Sequence, residues 1–282
     1  MESRVPKLLL ATDLTPRGDR AFDRAVQLAG SMGAELTLMF VVDDQWIPGP
    51  YVSQMVADAR RALEGEIEEA GLPADLRVFF EVATGQAHKA LVAKAGDGGY
   101  DMLIVGSPHG DRVSELILGT TIERVVRYCP CPVLLVRRRP RRPYRHVLVA
   151  TDLSLPSRQA LEQALRLFPE ARISVVHASA SKPTRSAGDD DSQLVRDMVT
   201  ACVTQQKGSS ARLLDDLRIV VRQGSAAEVI GEEVRQNGID LVVAGTRGRT
   251  AAATVLLGST ARILLEVIPC DVLAVRGVSS QP

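Results

Sequence analysis

Ala11-Thr12-Asp13-Leu14 and Ala150-Thr151-Asp152-Leu153 are the same four residues met twice, 139 positions apart (152 − 13). Each follows a short apolar run, Leu8-Leu9-Leu10 in the first case and Val147-Leu148-Val149 in the second. The same offset carries Gly85 onto Gly224, Asp101 onto Asp240, Gly106 onto Gly245, Gly119 onto Gly258, and Pro130-Cys131 onto Pro269-Cys270. Self-similarity at a fixed period marks duplication of a structural unit. The 282 residues are therefore expected to form two domains, 1–139 and 143–282, each long enough to bury its own core.

Within the first copy, apolar runs alternate with helical patterns. Lys7 to Ala11, Glu35 to Val42, Leu76 to Val82, Asp101 to Val105 and Pro132 to Val136 read as five strands. Phe22, Ala25, Val26 and Ala29 recur at helical spacing, as do Met55, Val56, Ala59, Leu63 and Ile67. Ala87 to Lys94 and Thr121 to Tyr128 complete four helices. The run Met102-Leu103-Ile104-Val105 is apolar on both faces, as central strands of a parallel sheet covered on each side must be. The second copy repeats the order, with strands near His146 to Ala150, Arg172 to Ala178, Leu217 to Val221, Leu241 to Ala244 and Val272 to Val275. Its register slips to 137 (177 − 40) at the second strand and is regained before Gly224. The expected architecture is α/β, two doubly wound five-stranded parallel sheets.

Lys plus Arg equals Asp plus Glu at 34 each, with 45% hydrophobic and 24% charged residues. That balance gives no general attraction to nucleic acid, and no apolar run approaches the roughly 18 residues of a membrane span. Met1-Glu2-Ser3-Arg4 leads straight into a strand, so no secretory leader is expected and the cytoplasm is the default address. Cys129, Cys131, Cys202 and Cys270 match neither zinc nor C-x-x-C spacing and read as buried, inert thiols. The basic run Arg137 to Arg142 reads as a linker stiffened by Pro140 and Pro143, and its charge could also grip phosphates. Gly188-Asp189-Asp190-Asp191-Ser192 reads as a solvated turn opening a helix.

The sharpest chemistry follows the fourth strand of the second copy. Gly245-Thr246-Arg247-Gly248 is followed, nine residues later, by Gly258-Ser259-Thr260. Ligands of an open parallel sheet bind beyond the carboxyl ends of its strands, and this loop begins at one. Glycines let the backbone approach a ligand closely, and a helix opening at Gly258 would aim free amides and positive dipole charge at an anion. The hydroxyls of Ser259 and Thr260 add donors, and Arg247 and Arg249 add charge. The same residues also fit a glycine turn and a Ser- or Thr-capped helix without any ligand.

On these residues each copy resembles a universal stress protein domain, and the whole chain resembles a tandem universal stress protein. Gly245, Gly248, Gly258 and Ser259 match that family's nucleotide-binding pattern, G-x2-G-x9-G-(S/T), without a gap. The resemblance implies an adenine nucleotide α-hydrolase-like fold and ATP as ligand, with or without magnesium. It further implies that the strand-end residues Ala150 and Asp152 lie near the adenine and ribose, and that the backbone of Ala178 contacts the base. In the first copy the matching positions are Asp13, Val41, Gly106, Gly119, Thr120 and Thr121. That copy departs from the pattern: His109 stands where Gly248 stands, Pro108 removes an amide, and Asp111 replaces Thr250. The resemblance also implies that the last strand of each copy pairs the domains as an internal pseudo-dimer; a homodimer and a protein partner are further candidates.

The chain carries no G-x-x-x-x-G-K-(S/T), G-x-S-x-G or H-E-x-x-H. His88, His109, His146 and His177 are scattered without ligand spacing. The expected activity is therefore ATP binding by a stress or signalling regulator, with hydrolysis slow at most and no catalytic residue or metal ligand named. The alternative is a non-catalytic module for an apolar small molecule or a protein, its nucleotide loops vestigial. Trp46 to Tyr51, an aromatic stretch without an equivalent in the second copy, motivates it and also fits a hydrophobic staple over the core. An adenylylating enzyme is disfavoured, since no S-G-G-x-D-S-like loop follows the first strand.

Overall fold

A computed structural model of the chain describes residues 4–15, 18–45, 47–107, 119–179, 185–205, 217–246 and 257–277. The chain divides into two compact units, Met1–Pro143 and Tyr144–Pro282. In the first, β1 (Lys7–Ala11), α1 (Asp19–Met32), β2 (Glu35–Val42), α2 (Gly49–Glu69), β3 (Val78–Thr84), α3 (Ala87–Asp97), β4 (Met102–Gly106), α4 (Thr120–Tyr128) and β5 (Val133–Val136) alternate strictly. The strands lie side by side in the order β3-β2-β1-β4-β5, and the pairings are parallel.

The second unit has the same plan: β6 (His146–Thr151), α5 (Leu155–Leu167), β7 (Arg172–Ser179), α6 (Arg185–Gln205), β8 (Arg218–Gln223), α7 (Ala226–Asn237), β9 (Leu241–Gly245), α8 (Ser259–Val267) and β10 (Asp271–Val275). Its order is β8-β7-β6-β9-β10, again parallel. The pairing register places the repeat slip. Lys7 of β1 faces Glu35 and its mate His146 faces Arg172, 137 positions on from Glu35, so the strand pairing is the same in both units and the two lost residues lie between β6 and β7.

The central strands are the driest parts of each unit. Leu8, Leu9, Met102, Leu103 and Ile104 are wholly buried, as are Val147, Leu148, Leu241 and Val242. Runs of that kind can be covered only by helices on both faces, which the β-α-β crossovers supply. Elsewhere local chemistry sets the boundaries. α7 opens on a reciprocal box, Ser225 Oγ accepting from the Glu228 amide at 3.3 Å while Glu228 Oε2 accepts from the Ser225 amide at 3.3 Å. It closes on Gly238 at φ 60°, a left-handed position that glycine fills without strain.

Two boundaries differ from the sequence expectation. β3 begins at Val78 rather than Leu76, because the Leu76 amide closes a turn onto the Pro73 carbonyl at 3.0 Å and is not available to the sheet. The acidic stretch Gly188 to Ser192 does not open a helix as a turn; it lies inside α6, which starts at Arg185. The Asp191 carboxylate accepts from Ser179 Oγ at 2.7 Å, and that bond ties α6 to the end of β7.

In both units the strand order reverses at one point. β1 sits between β2 and β4, and β6 between β7 and β9. The chain leaves β1 and β4 toward helices on opposite sides, opening a crevice at their carboxyl ends where such sheets bind ligands.

Candidate functional site

At that crevice the strand-end quartets form one strained turn, built twice. Leu14 has φ 54° and Leu153 φ 66°, a left-handed conformation that costs a branched residue about 1–2 kcal/mol. Side chains on either side hold it. In the first unit Thr12 Oγ1 accepts from the Leu14 amide at 3.1 Å and Asp13 Oδ1 from the Thr15 amide at 3.1 Å. In the second, Thr151 Oγ1 accepts from the Leu153 amide at 3.0 Å and Asp152 Oδ1 from the Ser154 amide at 3.0 Å. Each aspartate therefore has one carboxylate oxygen fixed by its own loop, which sets the direction in which the other can face a ligand.

The second unit adds a polar scaffold beneath this turn. Thr151 Oγ1 and Ser157 Oγ are 2.9 Å apart, Ser157 Oγ donates to the Ser154 carbonyl at 2.9 Å, and Ser154 Oγ caps α5 by accepting from the Ser157 amide at 3.4 Å. Buried His177 places Nδ1 2.8 Å from the Thr151 carbonyl. A carbonyl only accepts, so Nδ1 carries the hydrogen, and Nε2 faces Asp191 at 4.0 Å. In the first unit the mates of Ser157 and His177 are Gly18 and Phe40, and the scaffold is absent from those positions.

The glycine loop is closed at its base. Thr246, buried, donates its amide to the Val275 carbonyl at 2.9 Å, and its own carbonyl accepts from the Gly258 amide at 2.8 Å. Thr246 and Gly258, which flank residues 247–257, therefore meet beside β9. Gly258 occupies the cap position of α8 at φ −61° and ψ 146°, and no side chain caps that helix. Ser259 and Thr260 are its first residues and are exposed. The alternative of a Ser- or Thr-capped helix is not what forms: glycine holds the cap, and the hydroxyls stand in the first turn.

Gly245 also has a packing role. A Cβ there would lie 2.9 Å from both the carbonyl carbon and oxygen of Pro156, and one on Gly277 would lie 2.8 Å from Pro156 Cγ. The absent side chain makes room for the first turn of α5 against the ends of β9 and β10. The charges beside the two loops differ as well. The first turn of α4 carries Glu123, whereas its repeat mate on α8 is Arg262. A carboxylate satisfies a helix N-terminus and repels an anion from it; a guanidinium does the reverse.

A profile described as the Universal stress protein family matches residues 5–137 and again residues 143–276. The chain belongs to the universal stress protein family. Among curated relatives, Universal stress protein E homolog of Haemophilus influenzae is 24% identical over 206 residues, covering 66% of this chain and 65% of that protein. This chain thus spans just under two-thirds of that relative's length. Universal stress protein E of Escherichia coli K12 is 24% identical, covering 73% and 69%. A crystal structure of a universal stress protein from Archaeoglobus fulgidus matches 98% of this chain and 100% of its own, with a TM-score of 0.76 at 19% identity. These similarities establish the fold, adenine nucleotide α-hydrolase-like in each unit.

In this tandem universal stress protein Ala150, Asp152, Ala178, Gly245, Thr246, Gly258, Ser259 and Thr260 stand at or just beyond the carboxyl ends of β6, β7 and β9. Asp13, Val41, Gly106, Gly119, Thr120 and Thr121 take the matching places in the first unit. Arg247, Gly248 and Arg249 lie outside the described residues, as do Pro108, His109, Gly110 and Asp111 in the first loop and Trp46 before α2. Tyr51, the other end of the Trp46 stretch, is 66% exposed and covers no core. Among the described residues no group of three or more His, Cys, Asp or Glu is placed to hold a metal ion, and no helix is long and apolar enough to cross a membrane.

His146 and the cysteines are held in buried or half-buried surroundings. His146 Nδ1 donates to the Asn237 carbonyl at 3.0 Å and its Nε2 lies 2.9 Å from Ser174 Oγ; burial holds it below the usual imidazole range. All four thiols are buried. Burial pushes Cys202 up to about 11, and Cys131, 3.4 Å from Cys129 Sγ, is raised first by that contact and then by burial.

Sequence reasoning missed the left-handed leucines, Pro156 as the neighbour of Gly245, the His177 bond to Thr151, and the Glu123–Arg262 reversal. The last was legible, because the 139-residue offset pairs those two positions directly.

Proposed function

We propose that the second unit binds ATP and that the protein uses it as a ligand, setting conformation or affinity for a partner in a cytoplasmic stress response. The observation that carries this reading is the opening of α8: an uncapped helix start at the carboxyl edge of the sheet, preceded by a loop whose ends are joined through Gly258 and Thr246. Exposed Ser259 and Thr260 would bind phosphate oxygens there alongside first-turn amides, and Arg262, though paired through Nε with Glu266 at 3.1 Å, sets no carboxylate against the anion as Glu123 would. The Gly258 amide is committed to Thr246, so it is not part of that set. Asp152, one oxygen anchored by its loop, would orient the ribose, and the half-buried backbone around Ala178 would meet the base. Magnesium would accompany the triphosphate without a dedicated protein cage, as it commonly does.

The first unit supports the same fold but a weaker site, since Glu123 opposes an anion at α4 and its loop carries His109 and Pro108. Titration calorimetry with ATP on the full chain tests the assignment. Ser259→Ala is expected to weaken binding about tenfold through loss of one hydrogen bond to a charged group, while Thr120→Ala leaves it unchanged. Absence of heat at millimolar ATP with magnesium would remove the nucleotide reading. The module reading would then rest on Tyr51 and Met55, which are exposed one turn apart on α2.

A further inference from the structure

Five of the six residues 137–142 are arginine. Without them the chain would have 29 basic residues (34 − 5) against 34 acidic ones, so overall neutrality conceals one concentrated positive segment. The segment is fixed to α1. Arg20 Nη1 donates to the Arg137 carbonyl at 3.1 Å, Arg24 Nη1 donates to the Arg142 carbonyl at 3.1 Å, and Arg139 Nε pairs with Asp23 Oδ2 at 3.0 Å. The segment is thus held on α1 at both ends and through Arg139, and Arg138, Arg139, Arg141 and Arg142 are exposed along it. Asp23, the acidic side chain inside this contact, is paired with Arg139.

We propose that residues 137–142, held on α1, form a docking surface for a bilayer rich in anionic phospholipid. The segment is neither helix nor strand, so it has no helix or ribbon to read a major groove. None of its residues is aromatic, so it has no platform on which unpaired bases would stack. A plane of anionic headgroups needs neither feature, and rewards clustered exposed cations that are already held in place. The segment carries no apolar side chain other than Pro140. The association is peripheral and salt-sensitive, without insertion.

The test is co-sedimentation of the full chain with vesicles of phosphatidylcholine alone or with about one-third phosphatidylglycerol. Binding is expected only to the anionic vesicles, and it should be lost as ionic strength rises toward roughly 0.5 M. Arg138→Gln, Arg141→Gln and Arg142→Gln together should lower partitioning roughly 100-fold while leaving thermal unfolding and ATP binding unchanged. The matching triple lysine variant should retain binding. Equal binding to neutral vesicles, undiminished binding by the glutamine variant, loss in the lysine variant, or tighter binding to duplex DNA at the same phosphate concentration would each overturn the proposal.

Discussion

Replacing Gly245 by alanine tests whether the first glycine of the loop serves packing. The added Cβ would sit 2.9 Å from the Pro156 carbonyl carbon and oxygen and 3.1 Å from Pro156 Cβ. Two of those three neighbours are backbone, so no rotamer change relieves the overlap, and the first turn of α5 must move. Overpacking of this kind costs about 1–3 kcal/mol. With a urea dependence near 2 kcal/mol per molar, the midpoint of the second unit should fall by roughly 0.5–1.5 M. The displaced turn carries Ser154, whose amide is bonded to Asp152, so ATP affinity should fall together with stability. Urea unfolding followed by hydrogen exchange in β9 and β10, with calorimetry on the same sample, reads both effects. A Gly245→Ala chain with wild-type midpoint and lower ATP affinity would refute the packing argument and return this glycine to direct ligand contact.

Other outcomes follow from the same geometry. His177→Phe, which installs the residue found at Phe40 in the first copy, leaves the Thr151 carbonyl without its donor and should cost about 1–3 kcal/mol in denaturant unfolding. Arg262→Glu should weaken ATP binding, and Glu123→Arg should strengthen whatever binding the first unit has, by a few-fold each in low-salt calorimetry. His146, held below the usual imidazole range by burial, takes up its proton later in the native state than in the unfolded chain. Stability should therefore be unaffected above the unfolded value of about 6.5 and should fall as the pH drops from there toward the lower native value. His146→Gln should make that acid loss shallower. The buried thiols should react slowly with a disulfide reagent at pH 8 and rapidly after denaturation, Cys202 included, whose value of about 11 leaves little thiolate.

Most of the scaffold was legible because its central strands are dry on both faces, so Met102 to Val105 and Leu241 to Ala244 could hardly be anything but interior parallel strands. The duplication fixed the order of the remaining elements. Boundaries failed where a backbone group had a competing partner: Leu76 looked like strand by composition, but its amide is spent on Pro73. The Asp189 to Asp191 run looked solvated, yet Asp191 bonds Ser179, a contact between elements that no local pattern reveals. At the candidate site, the described residues of the motif lie at the expected sheet edge, and two local details go beyond what the motif could tell. Ser259 also fitted a cap by residue type, but the cap geometry falls on Gly258. Gly245, read as letting the backbone approach a ligand, also makes way for Pro156. The strain at Leu14 and Leu153 has no sequence signature beyond the repetition of the quartet itself.

The central claim is an asymmetric tandem protein, with one competent nucleotide site in the second unit. Its most direct test is the number of ATP molecules bound per chain, by equilibrium dialysis of the 282-residue protein and of its Gly248→Asp variant. One ATP per chain, abolished by the substitution, is the predicted result. Two per chain, or one that survives Gly248→Asp, would contradict it.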